Sequence, residues 1–311
     1  MSQSKYSFGA ILRKPEPFKY VFRRYFSLRY LPPKIDLRPV LEAGGFKVFD
    51  QGNQGSCTAN AGCADKAYQE IVNQTYETPL SRAFLYYEER ALHGWEGQDT
   101  GAYMEDIGKV LGTKGVCLDK TMPYHDYNYT TKPSDIAYNE ALEWVDDPTQ
   151  TALAHGEIKN ALNESKPVRI GVPVPNAFFE AKANGWVPLK YDNILGGHAL
   201  LVVGYDDNLT SPAGVTGHLI VLNSWGEGFG DQGYVYIPYE WMAHYNNNDN
   251  WTQLDVNPNP IPPEPPNPPN PPSPCQYGNS LANALNAVHY VPTTRFQFIR
   301  KRKGRFHYLS S

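Results

Sequence analysis

After residue 57 the apolar positions Ala61, Ala64, Tyr68 and Ile71 return in steps of three and four, the spacing of one face of a helix. Ser81 is placed to cap a second helix carrying Phe84, Tyr87 and Ala91, with Gly94 beyond its end. A third is predicted from about Ala102, with Tyr103, Ile107, Val110 and Leu111 on one face and Gly112 as its stop. From about residue 155 the texture changes. One short helix with Ile158, Ala161 and Leu162 precedes a run over 167–174, and further runs over 199–205, 219–223 and 234–238 are rich in β-branched and aromatic residues, the mark of strands. The pattern predicts an α+β protein: a helical lobe over about 31–150 and an antiparallel sheet or barrel over about 151–256.

The two ends break this pattern. Residues 1–30 interrupt every apolar run with Lys or Arg, unlike a secretory signal, and no apolar run approaches the length of a membrane span. That leaves the cytoplasm, a virion or non-classical export as the expected settings. Residues 257–274 hold eleven prolines in eighteen positions, which predicts a semi-rigid polyproline II linker about 55 Å long when fully extended. Residues 275–311 follow as a basic tail or small hairpin module, with aromatic and basic residues alternating over 295–308.

Charge sharpens the division. The net charge is −4, but residues 1–34 carry +7 and residues 275–311 carry +6, leaving −17 on the body between them. Basic ends on an acidic body are expected to lie on that body or on an external polyanion such as nucleic acid or an anionic surface, and residues 295–308 are the candidate contact. A merely solubilising tail is the competing reading.

Four cysteines occur, at 57, 63, 117 and 275, in spacings that match no zinc pattern. Cys63 shares the predicted helix with Cys57 and is expected in the core. Cys57 stands where the glycine-broken loop QGNQGS becomes that helix. A buried cysteine is often only a small hydrophobe. A thiol at a helix N-terminus, however, faces unpaired N–H groups that favour its thiolate. Two further stretches bear on the choice: Gly196-Gly197-His198 at the mouth of a predicted strand, and Asn223-Ser224-Trp225-Gly226 after another. In the order Gln51, Cys57, His198, Asn223 they supply an oxyanion donor, a nucleophile, a base and an orienting group.

This order and wording resemble the papain-like cysteine peptidases, of a short bacterial and viral type. His198 follows Cys57 by 141 residues, within the family's interval, and Asn223 follows by 166, slightly beyond it, an excess that the loop 206–217 can absorb. The resemblance covers roughly residues 33–240. It implies a two-lobed fold with the active site in the cleft between the lobes. It also implies Cys57 as nucleophile, His198 as its partner, Asn223 holding the histidine, Gln51 in the oxyanion hole and Trp225 covering the His–Asn pair. The family's substrate-backbone loop is not recognisable, and Asp99-Thr100-Gly101 is the nearest substitute. Substrate-binding residues are therefore expected at Thr100, Gly101, Gly197 and Trp225. Gln54 stands where relatives often have a cysteine, and Thr58 replaces the usual aromatic after the nucleophile.

The implied activity is an endopeptidase acting on peptides or proteins through a thioester acyl-enzyme, as a monomer and without cofactor or metal. Two rivals stand beside it: a Cys–His acyltransferase of transglutaminase type, and a papain-like binding protein without catalysis. The resemblance also implies that the second substrate residue before the cut enters the main pocket. Uncharged Gly197 near that wall predicts an apolar or aromatic preference. Finally, residues 1–30 are expected to lie across the active site as a short autoinhibitory segment, with Phe18, Tyr20, Phe22, Tyr25 and Phe26 as anchors. A basic address tail without contact to the cleft is the alternative.

Overall fold

A computed structural model describes residues 6–13, 31–73, 79–146, 150–153, 155–245 and 249–253. The proline-rich linker, the C-terminal module and the five aromatic anchors expected over 18–26 lie outside the described residues.

Strand β1 (Lys34–Asp36) opens the compact body, followed by helices α1 (Arg38–Ala43) and α2 (Cys57–Val72). Helix α2 is buried on nearly every side, including the polar Thr58, Asn60, Asp65 and Lys66, as expected of a central helix packed on more than one face. Helix α3 (Arg82–Ala91) begins at Ser81, whose hydroxyl accepts from the Phe84 amide at 3.0 Å. Helix α4 (Met104–Thr113) starts two residues later than the pattern predicted and runs through Gly112. Gly115, with φ +72°, makes the reversal beyond it, because only a glycine takes that backbone without a Cβ penalty. Helix α5 (Asp135–Ala141) completes the helical half, capped by Ser134.

The second half contributes β2 (Gln150–Leu153), α6 (Ile158–Asn163), β3 (Val168–Pro175), β4 (Ile194–Thr210), β5 (Thr216–Leu222), β6 (Tyr234–Pro238), α7 (Tyr239–Tyr245) and β7 (Asn250–Gln253). The described strands form one antiparallel sheet in the order β2-β7-β3-β4-β5-β6, with β1 attached to β4. Three details differ from the sequence pattern. Strand β1, expected with the helices, pairs Ile35 with Tyr205 and so belongs to the sheet. Strand β4 begins at Ile194, so His198 lies inside a strand, opposite Val172, rather than at its mouth. The stretch 206–217 is mostly ladder: β4 and β5 continue as a hairpin to the pair Thr210 and Thr216, which absorbs the extra length outside the core.

Helix α2 packs against β4, and this contact brings the two halves together over one continuous core. One buried ion pair also crosses it, Asp65 of α2 meeting Arg169 of β3 at 3.2 Å, while Lys66 reaches Glu70 and Asp146 at 2.5 Å within the helical half, all in the interior.

Candidate active site

The N-terminus of α2 is held from several sides. Asn60 donates from Nδ2 to the Ser56 carbonyl at 2.8 Å, and the Tyr124 hydroxyl bonds Ser56 Oγ at 2.6 Å and donates to the Gln51 carbonyl at 2.9 Å. Arg82 donates from one nitrogen to both the Asp50 carbonyl and Asn60 Oδ1. The loop 51–56 therefore has a fixed path, and Cys57 emerges as the first residue of the helix. Thr58 turns away from the site and donates to Glu89 Oε2 at 2.6 Å, which explains a hydroxyl at a position where relatives carry an aromatic ring.

Three of the expected residues meet on the sheet side. His198 Nε2 and Asn223 Oδ1 are 2.9 Å apart, and the Trp225 ring stacks on the imidazole at 4.5 Å between centroids and 20° between planes. With Nε2 donating to the Asn223 oxygen, Nδ1 is the nitrogen left to exchange a proton, and it is buried without a hydrogen-bond partner. Gln51 comes from the opposite loop. Its amide nitrogen donates to the Gln54 carbonyl at 2.9 Å, and its amide oxygen accepts from Ser224 Oγ at 2.6 Å. Ser224, which the sequence pattern passed over, thus fixes the orientation of Gln51, and its backbone N–H donates to Asn223 Oδ1 at 2.8 Å. Its neighbours in the quoted motif were the only signal for it.

Residues 6–13 run through the same place. The Gln51 amide donates to the Ser7 carbonyl at 3.2 Å, Ala10 N–H donates to the Gly197 carbonyl at 3.1 Å, and Ala102 exchanges two bonds of 2.9 Å with Gly9 and Ile11. The backbone partner is therefore Ala102, one residue past the expected Gly101. Thr100 bonds its own neighbour's carbonyl instead, and Gly101 donates to the Tyr86 hydroxyl. Gly101 serves by leaving room: a Cβ there would fall 1.9 Å from the Gly9 carbonyl oxygen. Asp99 carries the supporting role, accepting from the Gly55 N–H at 3.1 Å and from the Tyr86 hydroxyl.

Rings line the rest of the path. Tyr6 packs on Trp225 at 5.0 Å and Phe8 meets His198 edge-on at 6.3 Å, while Phe179 stacks on Trp225 at 5.5 Å. Leu12 is half-buried and packs against the bare Cα positions of Gly171 and Gly197. Arg13 lies over the Tyr103 ring at 3.4 Å and pairs with Glu105 at 3.3 Å.

Burial beneath this segment governs the titration of the pair. Loss of water pushes the Cys57 thiol up to about 12, although the Ala199 and Gly9 amides favour its thiolate. The same desolvation pulls His198 down to about 4, outweighing its bond to Asn223. Thiol and imidazole are both neutral in this arrangement. Cys63 and Cys117 are buried free thiols remote from this chemistry, and among the described residues no cluster of His, Cys, Asp and Glu could hold a metal.

Residues 31–251 match the papain family cysteine protease profile. The chain is 31% identical over 296 residues to an uncharacterized peptidase C1-like protein of Acanthamoeba polyphaga mimivirus, covering 83% of this chain and 92% of that one. It is 28% identical over 217 residues to a cathepsin L-like proteinase of Fasciola hepatica, covering 67% of this chain and 60% of the relative. Among solved structures, xylellain, a cysteine protease from Xylella fastidiosa, superposes with a TM-score of 0.72 at 32% identity, covering 81% of this chain and 97% of that one. The match begins at the first strand of the compact body and ends in the last, and the chain belongs to the papain family of cysteine proteases.

Proposed function

We propose that this cysteine protease cleaves peptide bonds through Cys57 and His198, and that residues 6–13 hold it closed. In the open site Cys57 gives its proton to His198 Nδ1, and the thiolate attacks the carbonyl carbon. The Gln51 amide and the Cys57 N–H receive the oxyanion, a stabilisation worth about 3–4 kcal/mol for one such donor. The imidazolium then protonates the leaving amine, and water, activated by the same imidazole, hydrolyses the thioester. Asn223 keeps the ring in the tautomer that this sequence of transfers needs.

The observation that carries the reading is the Gln51 amide held on the Ser7 carbonyl, with Gly9 beside the thiol, in the midst of His198, Asn223 and Trp225. A carbonyl at that donor is what a substrate would present. Here it belongs to the chain's own segment, and the neutral thiol–imidazole pair beneath is the unreactive form. Leu12 packed beside Gly197 supports a preference for apolar substrate side chains there. Protein substrates follow from the family, and among the described residues no helix is long and apolar enough to cross a membrane. Binding of a polyanion through residues 295–308 remains a separate proposal, tested by heparin retention with and without residues 257–311.

The test compares full-length protein, protein lacking residues 1–30, and the Cys57→Ala form of each on a small peptide substrate. The shortened protein should hydrolyse faster, and both alanine forms should be inert while keeping their fold by circular dichroism. Hydrolysis surviving Cys57→Ala would overturn the mechanism. Equal rates with and without residues 1–30 would remove the segment from it.

A further inference from the structure

Asp99 is exposed, yet it heads a short run of hydrogen bonds whose other members are buried. Both its carboxylate oxygens lie 3.1 Å from the Gly55 nitrogen, and Oδ1 also accepts from the Tyr86 hydroxyl at 2.5 Å. The Tyr86 oxygen in turn accepts from the Gly101 N–H at 3.0 Å. One carboxylate thus ties the loop before Cys57 to the stretch that leads into Ala102. Arg90 steadies it from within. Fully buried, Arg90 donates to the carbonyls of Tyr86, Glu96 and Gln98, and its guanidinium lies over the Tyr86 ring at 4.0 Å.

Each end of the run touches a group that the mechanism uses. The Gly55 N–H and the Gln54 carbonyl belong to one planar peptide unit, and that carbonyl accepts from the Gln51 amide at 2.9 Å. Holding the N–H therefore holds the carbonyl that aims Gln51. At the other end, Ala102 donates to the Gly9 carbonyl and accepts from the Ile11 N–H, both at 2.9 Å. In the open cleft those two backbone groups are left to a substrate.

We infer that Asp99 is a positioning residue, aiming Gln51 through the Gln54–Gly55 peptide and setting the Ala102 backbone through Tyr86. Its loss costs rate at the oxyanion and grip on the substrate backbone, although it touches neither. The inference rests on the reading of Gln51 as oxyanion donor and of residues 6–13 as occupants of a peptidase cleft.

The experiment uses the full chain carrying Gly9→Leu, since a side chain at Gly9 would collide with the Gly55 carbonyl oxygen, 1.7 Å from its Cβ position, and so keep the segment out. On one small peptide substrate, adding Asp99→Ala should lower kcat per folded molecule by at least about tenfold. In Gln51→Ala protein the same change should cost less than about threefold, because the group it aims is gone. Tyr86→Phe leaves Asp99 on Gly55 and frees only the Gly101 N–H. It should raise KM about three- to tenfold and hold kcat within about threefold. An unchanged kcat in folded Asp99→Ala overturns the inference, since a merely structural carboxylate lowers stability alone. A full tenfold cost in the Gln51→Ala background overturns the route through Gln51. An unchanged KM in Tyr86→Phe overturns the link to Ala102, and this arm does not depend on how well the Asp99 variant folds. Failure of Gly9→Leu to cleave the peptide would instead strike the peptidase reading itself, and the inference with it.

Discussion

Asp65 Oδ2 and Arg169 Nε lie 3.2 Å apart in the protein interior, and this contact joins the helix that begins with Cys57 to the strand beside the one that carries His198. The two atoms are close but misaligned for a hydrogen bond, and Arg169 sends a second nitrogen to Gln253 Oε1 at 3.3 Å. Burial raises the Asp65 carboxyl to about 6, despite Arg169 beside it. Removing one charge strands the other without water. Arg169→Met should therefore destabilise the protein by about 3–5 kcal/mol in urea unfolding, whereas Asp65→Asn with Arg169→Met should recover part of the loss. Simple additivity of the two losses would show that the pair is not coupled.

The proposed mechanism gives Gln51 two duties, which kinetics can separate. With residues 1–30 removed, Gln51→Ala should lower kcat by about 10²–10³, as loss of one oxyanion donor does. Ser224→Ala removes only the bond that orients the glutamine and should cost about two- to tenfold. In the full chain Gln51→Ala should also loosen the segment, because the Ser7 carbonyl loses its donor. A rate for Ser224→Ala as low as that of Gln51→Ala would mean that the hydroxyl does more than orient.

The segment's hold should depend more on backbone than on charge. Arg13 is the only charged side chain in 6–13, and its pair with Glu105 is half exposed, worth no more than about 1 kcal/mol. Backbone groups of Ser7, Gly9, Ala10, Ile11 and Arg13 bond the cleft, and Gly9 lies flat on Gly55. Gly9→Leu should raise peptide hydrolysis nearly to the level of protein lacking residues 1–30. Arg13→Ala should raise it only a few-fold, about as much as adding 0.5 M salt does to the unmodified chain. A salt effect as large as the Gly9→Leu effect would assign the hold to charge instead.

Acid should open the cleft. In the closed site His198 takes a proton only near pH 4, whereas an exposed imidazole does so near 6.5. Between those values the open form binds a proton that the closed form refuses. The closed form is therefore favoured above about pH 6.5 and loses ground as pH falls towards 4, by up to about two orders of magnitude. Asp249, raised to about 6 by burial, pulls in the opposite sense if opening wets it. Amide exchange at Ala10 and Ile11, corrected for the intrinsic rate, should lose protection over this range. In His198→Ala the loss should vanish; its persistence there would assign it to another group.

The sequence by itself determined the local pieces and the motifs from which the chemistry is proposed. Ser81 announced its cap, the steps of three and four announced α2, and Gln51, Cys57, His198, Asn223 and Trp225 were readable because each sits in a short motif whose backbone needs are local. Other features rested on contacts between residues far apart in the chain. The start of β4 at Ile194 was hidden because its exposed first residues, Ile194 and Leu195, flank two glycines and gain their strand conformation from pairing with β3. The pairing of β1 with β4 joins residues about 170 apart, which no local pattern encodes. The same holds at the site. Ala102 rather than Gly101 meets the inserted backbone because the bond direction is set by how α4 docks, and Ser224 finds Gln51 across 173 residues. Phe8 and Leu12 sit in short stretches with no motif of their own, and only the cleft, assembled from both halves, gave them something to fill.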